Sequence, residues 1–154
     1  MVQRNSANKL SNYKIATLGT HSALQILKGA HDEGFSTIAI CKKGHEEPYR
    51  IYRVADEIIT IDSYNELLGM QDELIKKNVI LIPHASYIAY IGFENVEKLR
   101  VLYFGNKKIL GWESNRNMER KWLEGAGLKM PKIFKSPDEI DRAAIIKFHG
   151  ASGG

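Results

Sequence analysis

YKIATLGTHSALQILKGAHDEGFSTIAIC, residues 13–41, decides the fold class. Residues 13–19 are a short apolar run that stops at glycine, the pattern of a strand. The next stretch places Ala23, Leu24, Leu27 and Ala30 on one helical face, and Gly34 closes it. Residues 36–41 then read as a second strand. A strand, a helix and a strand in about thirty residues form a unit whose two strands lie parallel.

The alternation continues downstream. A third strand is expected around residues 57–61, and Ser63 with Glu66 has the capping-box spacing of a helix running to about Lys77. VILIP, residues 79–83, is a continuous apolar run suited to a strand covered on both faces. VLYFG, residues 101–105, is another. The expectation is an α/β fold: a parallel sheet with helices on both faces. Such sheets bind ligands beyond the carboxyl ends of their strands, where the strand order reverses. The loops to inspect are therefore residues 19–22, 42–49, 83–87 and 105–108.

Two of these loops carry chemistry. In LGTHSALQ, Thr20 or Ser22 is placed to cap the following helix, and His21 projects from the strand end. The free N–H groups of a helix start suit an anion. A capped helix with an incidental histidine has the same sequence. GxGxxG is absent, because the next glycine after Gly19 is Gly29. In IPHASYIAY, His84 and Ser86 follow the most buried-looking strand and are expected near the edge that holds His21. A serine and two histidines around one crevice can orient a polar ring or a small acid. A polar turn after a core strand reads the same way. No G-x-S-x-G elbow surrounds Ser86, and no HExxH or CxxC occurs in the sequence.

The character of the chain changes after Gly105. A helix is expected through SNRNMERKWLEGAGLKMP, with Met118, Trp122 and Ala126 on one face, Gly127 stopping it and Pro131 beyond. SPDEID, from Ser136, gives a second short helix signal, and AAIIKF, residues 143–148, reads as a strand. NKKILGWESNR mixes bases with Trp112; a solvated helix surface over one core tryptophan accounts for it better than a nucleic-acid patch. The chain closes on IIKFHGASGG. A lysine leaving a strand into a Gly-rich loop resembles a phosphate grip, although it is not a Walker A pattern, and a Gly-rich tail reads alike.

Bulk properties narrow the class. With 154 residues the chain suits one domain, or one domain plus a fragment of another, and a formal charge of +4 fits phosphorylated small molecules as well as nucleic acid. Cys41 is the single cysteine, so no intrachain disulfide can form, and a reducing cytoplasm is the expected location. Cys41 itself is expected as a small buried hydrophobe. The polar start MVQRNSANKLSN does not read as a signal peptide, and no apolar run reaches membrane-spanning length. Neither a membrane nor a nucleic-acid partner is expected.

Taken in order, ATLGTHSALQILKGAHDEGF, VADEIITID, IPHASYIAY, YFGNKKILGWES, ERKWLEGAGLKMP and IIKFHGASGG resemble the N-terminal part of the archaeal 5-formaminoimidazole-4-carboxamide ribonucleotide (FAICAR) synthetase family, from about residue 14 to 154. Residues 1–12 read as a frayed or loosely docked lead-in. The resemblance implies that a Rossmann-like (pre-ATP-grasp) substrate domain over 13–110 and the beginning of an ATP-grasp domain over 111–154 follow. It implies a ligase of purine biosynthesis that uses ATP and formate to convert aminoimidazole-carboxamide ribonucleotide (AICAR) to FAICAR. Mg²⁺ or Mn²⁺ would serve the complete enzyme, with ligands outside this chain, and the assembly would be a homo-oligomer. His21, Ser22, His84 and Ser86 would contact the ribonucleotide. Lys147 and the loop Gly150, Ala151, Ser152, Gly153 and Gly154 would hold ATP.

Four positions depart from the family pattern. Ala85 stands where the family has glycine, Gly111 where it has arginine, Asn115 where it has an acid, and Ser152 where Lys or Arg is expected. The last weakens the phosphate clamp. The resemblance further implies that the ATP-grasp lid, the adenine pocket and the metal-binding carboxylates belong to a part after residue 154, so this chain alone is expected to have little or no synthetase activity. A purine-nucleotide-binding or interaction module derived from such an enzyme is the other reading.

Overall fold

A computed structural model of the chain describes residues 12–146. The chain divides into two units, Met1–Gly105 and Asn106–Gly154. The first contains five strands: β1 (Lys14–Leu18), β2 (Ser36–Lys42), β3 (Glu57–Ile61), β4 (Val79–Leu81) and β5 (Leu102–Tyr103). Helices α1 (Ala23–Asp32), α2 (Glu47–Tyr52), α3 (Gln71–Lys76) and α4 (Phe93–Glu97) connect them, with a 3₁₀ turn at Tyr64–Leu68 and a π-helical turn at Tyr87–Ile91.

All pairings are parallel, in the order β3-β2-β1-β4-β5. Lys14 lies opposite Ser36 on one side and Val79 on the other, and Leu18 lies opposite Ile40. The chain runs outward from β1 to β3, then restarts on the other side of β1 with β4. Right-handed crossovers in such an order send the first two connections and the last two to opposite faces. The switch point falls between β1 and β4, so the loops after these strands flank one crevice.

The central strands are covered on both faces, which explains their unbroken apolar runs. Ala16, Leu18, Ile38, Ala39, Ile40, Cys41 and Leu81 are fully buried. Ala23 and Leu27 of α1 pack with Ala39, Cys41, Tyr49 and Val54 into one cluster. Each large aliphatic side chain so covered contributes about 1.5–3 kcal/mol. Gly34, at φ +82°, closes the α1 connection as a left-handed residue.

Several expected elements differ in detail. The capping box of Ser63 and Glu66 is formed, but it opens a 3₁₀ turn that stops at Gly69, and α3 starts separately at Gln71. Residues 42–49 are only partly loop, since α2 begins at Glu47 with Pro48 in its first turn. Strands β4 and β5 are shorter than their apolar runs.

The second unit contains α5 (Lys107–Ser114), α6 (Arg116–Gly125) and a 3₁₀ turn at Pro137–Glu139. One expected helix start becomes two helices, because Asn115 is extended and caps α6 through the Asn117 and Met118 N–H groups. None of its described residues is buried. Trp112 is 43% exposed and Trp122 50%, so neither is the core tryptophan its apolar spacing suggests. Residues 143–146 form no strand, and Ile145 and Ile146 are exposed. Lys147, Gly150, Ala151, Ser152, Gly153 and Gly154 lie outside the described residues. Among the described residues no helix is long and apolar enough to cross a membrane.

Candidate functional site

The crevice is built from the ends of β1 and β4. Gly19 ends β1, its N–H donating to the Ile40 carbonyl at 2.7 Å. A Cβ here would meet Cys41 Sγ at 2.5 Å and Tyr49 Cε2 at 3.1 Å. Glycine is therefore demanded by close packing against β2 rather than by a special φ. Cys41 is fully buried beneath it, as expected, and burial pushes its thiol up to about 12. It remains a neutral packing group.

After Gly19 the backbone turns sharply. The Thr20 N–H reaches the Leu18 carbonyl, and the Ala23 N–H the Thr20 carbonyl, each at 2.7 Å. His21 is exposed and sits at φ +25°, an unusual value for a residue with a Cβ. Ser22 occupies the N-cap position of α1, but its side chain makes no cap bond. The Thr20 hydroxyl is buried and also has no protein partner. The expected cap is thus absent: both hydroxyls stand at the start of a ten-residue helix without serving it.

The β4 side is tied to β1 at two points. Thr17 Oγ1 donates to the Ile82 carbonyl at 2.7 Å. His84 Nε2 lies 3.1 Å from the Leu18 carbonyl, and since a carbonyl only accepts, Nε2 carries the proton. Nδ1 is left to accept the Ser86 N–H at 3.4 Å. Burial holds the His84 pKa below its ordinary value, reinforced by His21 nearby and opposed by the bond to Leu18. The imidazole is therefore neutral at pH 7 and both nitrogens are engaged within the chain. His84 is a strut between the loops, and its ring edge meets Tyr87 at 5.7 Å in a T-shaped contact. Ser86 is 6% exposed in the loop after β4. Tyr87 is fully buried, and that burial pushes its phenol far above the usual range.

Two tyrosines had no signal in the sequence pattern. Tyr64 follows the distant edge strand β3, yet its hydroxyl donates to the Gly19 carbonyl at 3.3 Å. Tyr90 stacks on it with ring centroids 5.3 Å apart and planes at 27°. The stretch after β3 therefore returns across the carboxyl edge of the sheet. His21, Ser22, His84 and Ser86 are gathered at the β1/β4 edge, as one loop pair. Among the described residues no group of three His, Cys, Asp or Glu side chains that could hold a metal ion comes together.

Comparison with known proteins identifies the chain's relatives. A 5-formaminoimidazole-4-carboxamide-1-(beta)-D-ribofuranosyl 5'-monophosphate synthetase of Methanopyrus kandleri is 47% identical over 148 residues, covering 94% of this chain and 41% of the relative. The protein of the same name from Pyrococcus abyssi is 50% identical over 141 residues, covering 92% and 40%. The chain thus spans about two fifths of the length of these curated relatives. The crystal structure of an IMP biosynthesis protein PurP from Thermococcus kodakaraensis superposes with a TM-score of 0.70 at 31% identity, over 82% of this chain and 41% of that one. The family model described as "Protein of unknown function (DUF1246)" matches residues 15–134. Most of the sheet and all of the crevice lie within that match, and the chain belongs to the DUF1246 family.

Proposed function

We propose that this chain is the ribonucleotide-binding front part of a ligase that uses ATP and formate to convert AICAR to FAICAR in purine biosynthesis. The observation that carries the reading is the meeting of the His21–Ser22 and His84–Ser86 loops at the sheet's switch point. The relatives' names supply the chemistry such a crevice would serve.

The groups suit a phosphorylated polar ligand. The α1 start offers partial positive charge, and the Ser22 hydroxyl is not committed to the helix. His21 is exposed at the strand end and can donate to a phosphate or to a carboxamide oxygen. Ser86 lies deeper and would meet the less solvated part of the ligand. His84 would act by holding the loops in register. ATP would be held by Lys147 and the Gly150–Gly154 backbone, and a homo-oligomer in the cytoplasm completes the proposal.

Phosphoryl transfer depends on positioning and on neutralising charge. The described residues at the crevice supply groups that position the ribonucleotide, and the chain should bind AICAR. Calorimetry with AICAR and with ATP tests this. Binding of AICAR that His21→Ala weakens supports the proposal; absence of AICAR binding contradicts it.

A further inference from the structure

Tyr90 combines two properties that surface tyrosines rarely share. It is 55% exposed, yet one ring face is packed flat on Tyr64. Tyr64 in turn is 8% exposed and anchored by its hydroxyl to the Gly19 carbonyl. The pair links the return from β3 to the loop after β4, and the Tyr64 hydroxyl ties it to Gly19 at the end of β1. Tyr90 is four residues beyond Ser86, inside the π-helical turn Tyr87–Ile91. Such single turns are uncommon and recur at functional sites.

We propose that Tyr90 is a ligand-binding residue whose open face stacks against the flat heteroaromatic base of a ribonucleotide in the β1/β4 crevice. This rests on the ribonucleotide reading of that crevice. The polar groups there, His21, Ser22 and Ser86, suit a phosphate, a ribose or the edge of a base. None of them covers the base's apolar face. A ring already held by Tyr64 loses little freedom on binding, so its stacking is not spent on ordering the side chain. Stacking tolerates any flat ring, which leaves discrimination between bases to the edge hydrogen bonds.

The test compares two ligands on the full chain: AICAR, which has the base, and ribose 5-phosphate, which lacks it. Tyr90→Ala should weaken AICAR about tenfold and leave ribose 5-phosphate unchanged. Tyr90→Phe keeps the ring and should bind AICAR as the wild type does. In proton NMR, the upfield shift of the bound imidazole proton should persist with Phe and disappear with Ala. Tyr90→Leu is the second variant, preserving apolar bulk without the ring current. Equal AICAR affinity in wild type and both ringless variants overturns the inference alone, as does equal weakening of both ligands. Failure of the wild type to bind AICAR overturns it together with the reading beneath it.

Discussion

His84 Nε2 donates to the Leu18 carbonyl across 3.1 Å, joining the carboxyl ends of the two strands that flank the switch point. The Nε2–H donor would survive protonation of the ring; what only the neutral form provides is Nδ1 as an acceptor for the Ser86 N–H. The crevice's two loops are thus held by one imidazole of fixed tautomer.

That arrangement has a pH signature. The folded pKa of His84 lies below its ordinary value because the ring is buried. Its stability contribution is complete above the unfolded value of about 6.5 and is lost as pH falls from there toward the folded value. His84→Gln keeps a donor for Leu18 but cannot titrate. Urea melts should show a shallower loss of stability between about pH 6.5 and 5 in this variant than in wild type. Identical slopes would mean that the ring charges without cost.

Gly19 answers to packing. Its missing Cβ leaves room for Cys41 Sγ and the Tyr49 ring. Gly19→Ala should destabilise by about 1–3 kcal/mol, as overpacked cores do. Adding Cys41→Ala should restore part of the loss, because Cys41 Cα, at 3.3 Å from the new methyl, still obstructs it. Strict additivity of the two substitutions in denaturant melts would refute the contact.

Ser22 separates ligand binding from helix capping. An N-cap hydroxyl that serves its helix is worth about 1 kcal/mol. Ser22 makes no such bond, so Ser22→Ala should change stability by less than about 0.5 kcal/mol while weakening AICAR binding. A stability loss of a full cap with unchanged affinity would assign the hydroxyl to the helix.

At the amino-terminal end of the sheet, Glu57 pairs closely with Lys77, which also meets Glu73 at 3.0 Å, and Lys14 stands 3.6 Å from Glu57. The hydrogen bond from Lys77 holds the Glu57 carboxyl below its ordinary value. Its contribution is present above about pH 4.5 and lost as pH falls through the lowered folded value. Lys77→Met should cost about 0.5–1 kcal/mol at pH 7 and low salt, and less in 1 M salt. The difference from wild type should shrink below pH 4; a gap independent of pH and salt would point to packing instead.

The sheet was legible because strand and helix periods differ and each β1–β4 run carries its own stop. Residues 57–61 fall as one strand in both readings, and Cys41 is buried as its neighbours imply. The gathering of His21 and His84 followed from the switch-point rule, which needs only strand order. Three features were not legible. The Tyr64–Tyr90 stack joins residues whose proximity depends on the path taken after β3. The idle hydroxyl of Ser22 depends on its φ and ψ, not on its identity. The second unit misled because apolar spacing at Met118 and Trp122 signals a face to be covered, and no described residue of that unit is buried.

The central claim is that a purine-pathway ribonucleotide occupies the β1/β4 crevice. An amide NMR titration of the full chain with AICAR tests it most directly. The account predicts saturable shifts concentrated at residues 19–22 and 84–90, abolished by His21→Ala. Shifts confined to other surfaces, or none at millimolar AICAR, would contradict it.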